Sequence, residues 1–111
     1  MPKIVCLCGS TRFKSMFEEV NRDETLKGNI VLSVGVFGYS DFPGLKEEDK
    51  TRLDCLHLEK IKMADEIIFL NKDGYIGEST FTELKFAYGL SKPIRFLEPD
   101  NIPEKCLPYI D

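Results

Sequence analysis

Two short stretches of this 111-residue chain carry residue types that chemistry uses. The first is Cys8-Gly9-Ser10-Thr11-Arg12, directly after an apolar run. A glycine there lets a ligand approach the backbone, and free N–H groups at a helix start favour an anion. Ser10 and Thr11 add hydroxyls, and Arg12 adds a fixed positive charge. The same five residues would also serve as a capped tight turn with a surface arginine. The second stretch is a polar loop with Gly74, Gly77 and Ser79, leading into Thr80-x-x-Glu83. That spacing matches a capping box, in which Thr80 caps a helix and Glu83 reaches back to it. It also suits an ionised carboxylate at a helix start, oriented to attack an anomeric carbon. Residue types and spacing leave both readings open.

A third candidate is His57. It lies on one helical stripe with Leu53, Leu56, Ile61 and Ala64, where a core histidine is the simplest reading. If that helix borders a site, Asp54 stands one turn earlier and is placed to hydrogen-bond it. Asp65 opens a strand, and Glu47, Glu48, Asp49 and Asp73 read as solvated loop charges. The cysteines are Cys6, Cys8, Cys55 and Cys106. They form no C-x-x-C pair, and with a single histidine no zinc site, other metal or cofactor is expected. They read as small buried hydrophobes of a reducing compartment. Cys6 and Cys8 sit two apart in a strand pattern and so share one face.

The elements that must position these residues follow from periodicity. Residues 3–8 form a short apolar run, read as a strand buried on both faces. A helix follows, with Phe13, Met16, Phe17 and Val20 at helical spacing, Ser10 or Thr11 as cap, and Gly28 as its stop. Residues 30–37 read as a second strand, with Gly35 marking a bulge. A loop over 38–49 contains Tyr39, Phe42 and Pro43, which suit stacking on a base. A second helix spans 50–64 and a third strand 66–70. The third helix begins near Thr80, with Phe81, Leu84, Ala87 and Tyr88 inward. A fourth strand spans 94–97, and residues 98–111 read as an irregular wrap or subunit contact. This βαβαβαβ order predicts an α/β fold over residues 1–111: one three-layer, flavodoxin-like domain. Its mostly parallel sheet would have four or five strands in the order 2-1-3-4. The switch point then brings together the loops at 9–12 and 71–79.

A net charge of −4 without a basic stripe argues against nucleic acid as the partner. No apolar run approaches a membrane span, and the chain enters a strand pattern without a signal peptide, so a cytoplasmic location is expected.

Three segments, LCGSTRF, ADEIIFLN and ESTFTELKFAYGLSKPI, together resemble the nucleoside 2-deoxyribosyltransferase-like family. That family includes the 2'-deoxynucleoside 5'-monophosphate N-glycosidases. The resemblance runs in order over residues 4–97. It implies that Glu83 is the nucleophile of a covalent glycosyl-glutamate intermediate. It implies that Gly77, Ser79 and Thr80 contact sugar and phosphate, and that Gly9, Ser10, Thr11 and Arg12 form the nucleotide-binding turn. Asn71 stands where some members carry a site aspartate. Lys85 replaces a usual glycine, and His57 replaces a carboxylate, which makes His57 the candidate for protonating the leaving base. The implied activity is cleavage or transfer of the N-glycosidic bond of a (deoxy)nucleoside or nucleoside 5'-monophosphate. The implied partners are that small molecule and further copies of the chain, as a homodimer or larger oligomer. A non-catalytic nucleotide-binding module of the same fold is the alternative, with Glu83 serving only as a cap.

Overall fold

The computed structural model describes residues 1–38 and 41–110. Strands and helices alternate: β1 (Ile4–Gly9), α1 (Lys14–Leu26), β2 (Ile30–Leu32), α2 (Glu47–Met63), β3 (Glu66–Leu70), α3 (Glu78–Gly89) and β4 (Ile94–Phe96). The strands lie in the order β2-β1-β3-β4, and every pairing is parallel. This is the expected flavodoxin-like α/β arrangement, with a sheet of four strands.

Alternation along β1 sorts its side chains into two layers. Val5 and Leu7 pack with Phe17 and Val20 of α1, together with Ile68 and Leu70 of β3. Cys6 and Cys8 point the other way, into a core with Ile61 of α2 and Leu84 and Ala87 of α3. Each fully buried leucine, isoleucine or phenylalanine contributes about 1.5–3 kcal/mol. The two thiols thereby face the helices that carry His57 and Glu83. At the C-terminal edge the central strands end level, with Cys8 paired to Phe69 and Gly9 to Leu70. A Cβ on Gly9 would lie 3.1 Å from Leu70 Cβ and 3.2 Å from the Leu70 carbonyl oxygen. Glycine is what lets the two strand ends lie so close there.

Several boundaries differ from expectation. β2 ends at Leu32 and does not continue to residue 37. The Lys60 ammonium donates to the Ser33 carbonyl at 2.7 Å, holding the chain where it has left the sheet. The alternation of Val34 and Val36, which imitates a strand face, belongs to a cavity wall. α2 starts three residues early, at Glu47, so Glu47, Glu48 and Asp49 form its first turn. Acids suit that end of a helix, and Asp49 accepts the Lys46 N–H at 3.0 Å. Leu56 is half exposed and lies off the buried stripe of His57, Ile61 and Ala64. Tyr88 is likewise partly exposed, resting on Tyr109.

The tail is a wrap. Its 3-10 segment Glu104–Tyr109 buries Cys106 in the core and sets the Tyr109 ring 5.7 Å from Phe81 and 5.6 Å from Tyr88. Among the described residues, no helix is long and apolar enough to cross a membrane.

Candidate active site

A cavity of about 400 Å³ opens beyond the C-terminal end of β1. Two chain turns face each other across it. The first brings Gly9, Ser10 and Thr11; the second brings Tyr75, Gly77, Ser79 and Thr80. Helix α2 supplies Asp54 and His57, and α3 supplies Glu83.

Each turn leads into a helical start. Ser10 caps the 3-10 turn Thr11–Phe13, its Oγ accepting the Arg12 N–H at 3.3 Å. At the second turn the N-cap is Gly77, which has no side chain to offer. The first N–H groups of α3 are therefore left without a side-chain cap at the cavity edge, a setting that favours an anion. The first backward bond of the helix runs from the Phe81 N–H to the Gly77 carbonyl at 2.9 Å.

This boundary rules out the cap reading of Glu83. Because α3 starts at Glu78, Thr80 is inside its first turn and Glu83 is in its second. Thr80-x-x-Glu83 is not a capping box. The Glu83 carboxylate instead lines the cavity beside His57, near enough to Cys8 for each to influence the other's titration. Burial pushes the Glu83 carboxyl up to about 7 against the opposing pull of the His57 charge, with Cys6 and Asp54 adding to the rise.

His57 is buried and turns Nε2 toward the two thiols of β1, 3.3 Å from Cys8 Sγ and 3.8 Å from Cys6 Sγ. Burial works to lower its pKa, but the bond to Cys6 and the Glu83 charge prevail and raise it. Cys8 is raised well above the ordinary thiol value by burial first and then by its bond to Cys6. Cys6 is lowered to about 6, chiefly by the Cys8 hydrogen bond and, against burial, by His57. These thiols are buried as expected, yet they are polar partners of the site as well as packing atoms. Cys55, by contrast, is exposed.

A solved structure of a 2-deoxyribosyltransferase from the psychrotolerant bacterium Bacillus psychrosaccharolyticus matches this chain at 25% identity and a TM-score of 0.57, over 84% of this chain and 70% of that one. The match supports the nucleoside 2-deoxyribosyltransferase-like family. No protein-family model and no curated protein matches the chain.

Within this deoxyribosyltransferase-like fold, the cavity assembles Gly9, Ser10, Thr11, His57, Gly77, Ser79, Thr80 and Glu83. Arg12 and Asn71 are not brought to its wall. Arg12 is turned onto Tyr75, its guanidinium 4.2 Å from the ring centre. Asn71 is fully buried at the end of β3, with its amide spent on the tail. Its Nδ2 donates to the Glu98 and Asn101 carbonyls at 2.9 and 3.2 Å, and its Oδ1 accepts the Glu98 N–H at 2.8 Å. Asn71 thus anchors the tail, and the cavity wall is formed without it.

Phe42 is exposed and does not line the cavity, while Tyr39 lies outside the described residues. The apolar wall comes from Val34, Val36, Leu45 and Leu53, and Lys50 adds a cation. Tyr75 and Lys50 escape a sequence reading because neither sits in a recognisable spacing. The alternation of Val34 and Val36 was visible but pointed to a strand.

Proposed function

We propose that this chain cleaves or transfers the N-glycosidic bond of a nucleoside or nucleoside 5'-monophosphate. The Glu83 carboxylate attacks the anomeric carbon and forms a sugar ester. The bond from that carbon to the base nitrogen breaks, its electron pair passing to the base. The imidazolium of His57, whose pKa is raised beside Glu83, delivers a proton to the departing base. Water, or a second base, then takes the sugar from Glu83. The hydroxyls of Ser10 and Thr11, with the uncapped N–H groups of α3 opposite, suit the polar end of the ligand, and Lys50 complements a 5'-phosphate.

One observation carries this reading: Glu83 caps nothing and is turned beside His57 into a cavity large enough for a small ligand. The likeness to a 2-deoxyribosyltransferase supports it independently. The test is base release, followed by chromatography over a panel of nucleosides and nucleoside monophosphates. Glu83→Gln is expected to lose at least roughly 1000-fold in rate while keeping its melting temperature. Equal release by the variant would remove Glu83 from the chemistry. Saturable nucleotide binding by the wild type with no release of base would leave the non-catalytic binding module instead.

A further inference from the structure

We propose that Cys6, Cys8 and His57 form a binding site for a thiophilic metal cation, with Zn²⁺ the best-fitting ion. Two of these side chains have no role in the glycosidic reading, and the proposal does not rest on it. The topology makes the site. The two-residue period of β1 sends both thiols to the face covered by α2, and the buried stripe of α2 sets His57 opposite them. The Sγ atoms and the histidine nitrogen all lie within 4.8 Å of one another, and all three residues are buried.

The separations fit a metal. Zinc binds thiolate sulfur at about 2.3 Å and imidazole nitrogen at about 2.0–2.1 Å, so a tetrahedral ion holds S and N about 3.6 Å apart. The observed 3.3 and 3.8 Å lie on either side of that value. Small side-chain adjustments would close the site. Two sulfurs and one nitrogen are the donors that borderline-soft zinc takes from proteins, whereas calcium and magnesium demand oxygen.

Charge and access agree. On binding, each thiol yields its proton to solvent, and His57 coordinates as neutral imidazole through Nε2. Two thiolates then balance the dication. The Glu83 carboxyl faces the cluster, and a cation beside it would favour its ionised form, while the nearby Lys60 ammonium is engaged by the Ser33 carbonyl. The thiols have no exposed surface, but His57 lines the cavity, so the ion enters from there. Three protein donors leave a fourth position for water or the Glu83 carboxylate. Because His57 is shared, metal binding and base protonation exclude one another.

The test is titration of the reduced, metal-stripped full chain with Co²⁺, which takes the same donors and reports them by absorption. A single equivalent should give a thiolate-to-cobalt charge-transfer band and tetrahedral d–d bands, both abolished by added Zn²⁺. Cys55→Ser should keep them. Cys6→Ser and Cys8→Ser, with native circular dichroism confirmed, should bind more weakly by more than the roughly 10–100-fold that losing an outer partner costs. Wild-type protein without these bands overturns the proposal, as does undiminished cobalt binding in Cys6→Ser or loss of the bands in a folded Cys55→Ser. If Cys8→Ser does not fold, the wild-type spectrum and Cys6→Ser decide. None of these readings needs turnover, so the site stands or falls separately from the role of Glu83.

Discussion

The Arg12 guanidinium lies 4.2 Å from the centre of the Tyr75 ring, and its Nη2 donates to the Tyr75 hydroxyl at 3.2 Å. This contact ties the turn after β1 to the turn before α3, the two walls that face each other across the cavity. A partly exposed cation–π contact contributes about 0.5–1 kcal/mol. Tyr75→Leu should therefore cost only about that much stability. Nucleoside monophosphate binding should weaken by up to about tenfold, which is about 1.4 kcal/mol, because Tyr75 lines the cavity and the two turns that flank the polar end of the ligand lose the tie between them. Isothermal titration with a monophosphate and with its nucleoside tests this, and the nucleoside should bind nearly unchanged.

Gly9→Ala probes the closeness of β1 and β3. The new methyl would meet the Cβ and carbonyl oxygen of Leu70 at 3.1 and 3.2 Å, within a strand pairing that cannot shift freely. Overpacking of this kind costs about 1–3 kcal/mol. Urea denaturation should show a lower midpoint with an unchanged m-value. A midpoint equal to that of the wild type would mean that the strand ends are looser than the register indicates.

Asn71→Ala separates a structural role from a ligand role. The substitution removes an amide that makes bonds of 2.8 to 3.2 Å to the tail backbone, whose partners at Glu98 and Asn101 are only partly buried or exposed. The cost should be about 1–3 kcal/mol in stability. Measured well below its melting temperature, the variant should bind nucleotide as the wild type does. A selective loss of binding would restore Asn71 to the ligand site.

Glu24 gives the pH dependence of stability. Although nearly buried, it accepts from Lys27 at 2.9 Å, Asn29 at 3.0 Å and Arg95 at 3.2 Å. Burial raises its pKa, but these donors outweigh it and hold the carboxyl below the ordinary 4.5. A depressed folded pKa means that the stabilisation is present above the unfolded value and disappears as pH falls through the folded one. Glu24→Gln should thus be less stable than the wild type near neutral pH, and the gap should close steadily below about pH 4.5. Melting curves across that range read it directly, and a gap independent of pH would assign the loss to packing.

Much of this architecture is legible in the residues. The apolar run of β1, the glycine that ends it and the alternation of strands and helices lead to the parallel 2-1-3-4 sheet and to the two facing turns. The start of α3 was not legible. Gly77 caps without a side chain and so sends no signal, while Thr80-x-x-Glu83 imitates a cap three residues later. The end of β2 was hidden because Val34 and Val36 alternate for the sake of the cavity and not of the sheet. Asn71 misleads because an amide at a strand end suits a ligand as well as a tail. The approach of His57 to Cys6 and Cys8 spans 51 and 49 residues of sequence, and no local spacing encodes it.

The wrap of residues 104–109 over α3 has a practical consequence for handling the protein. Tyr109 and Cys106 brace the same helix that presents Glu83, and Lys105 ties the segment to the Ile76 carbonyl at 2.8 Å, just ahead of the Gly77 turn. A purification tag, reporter or immobilisation linker attached after Tyr109 would tug on the helix that presents Glu83. Met1, fully exposed ahead of β1, takes no part in that bracing.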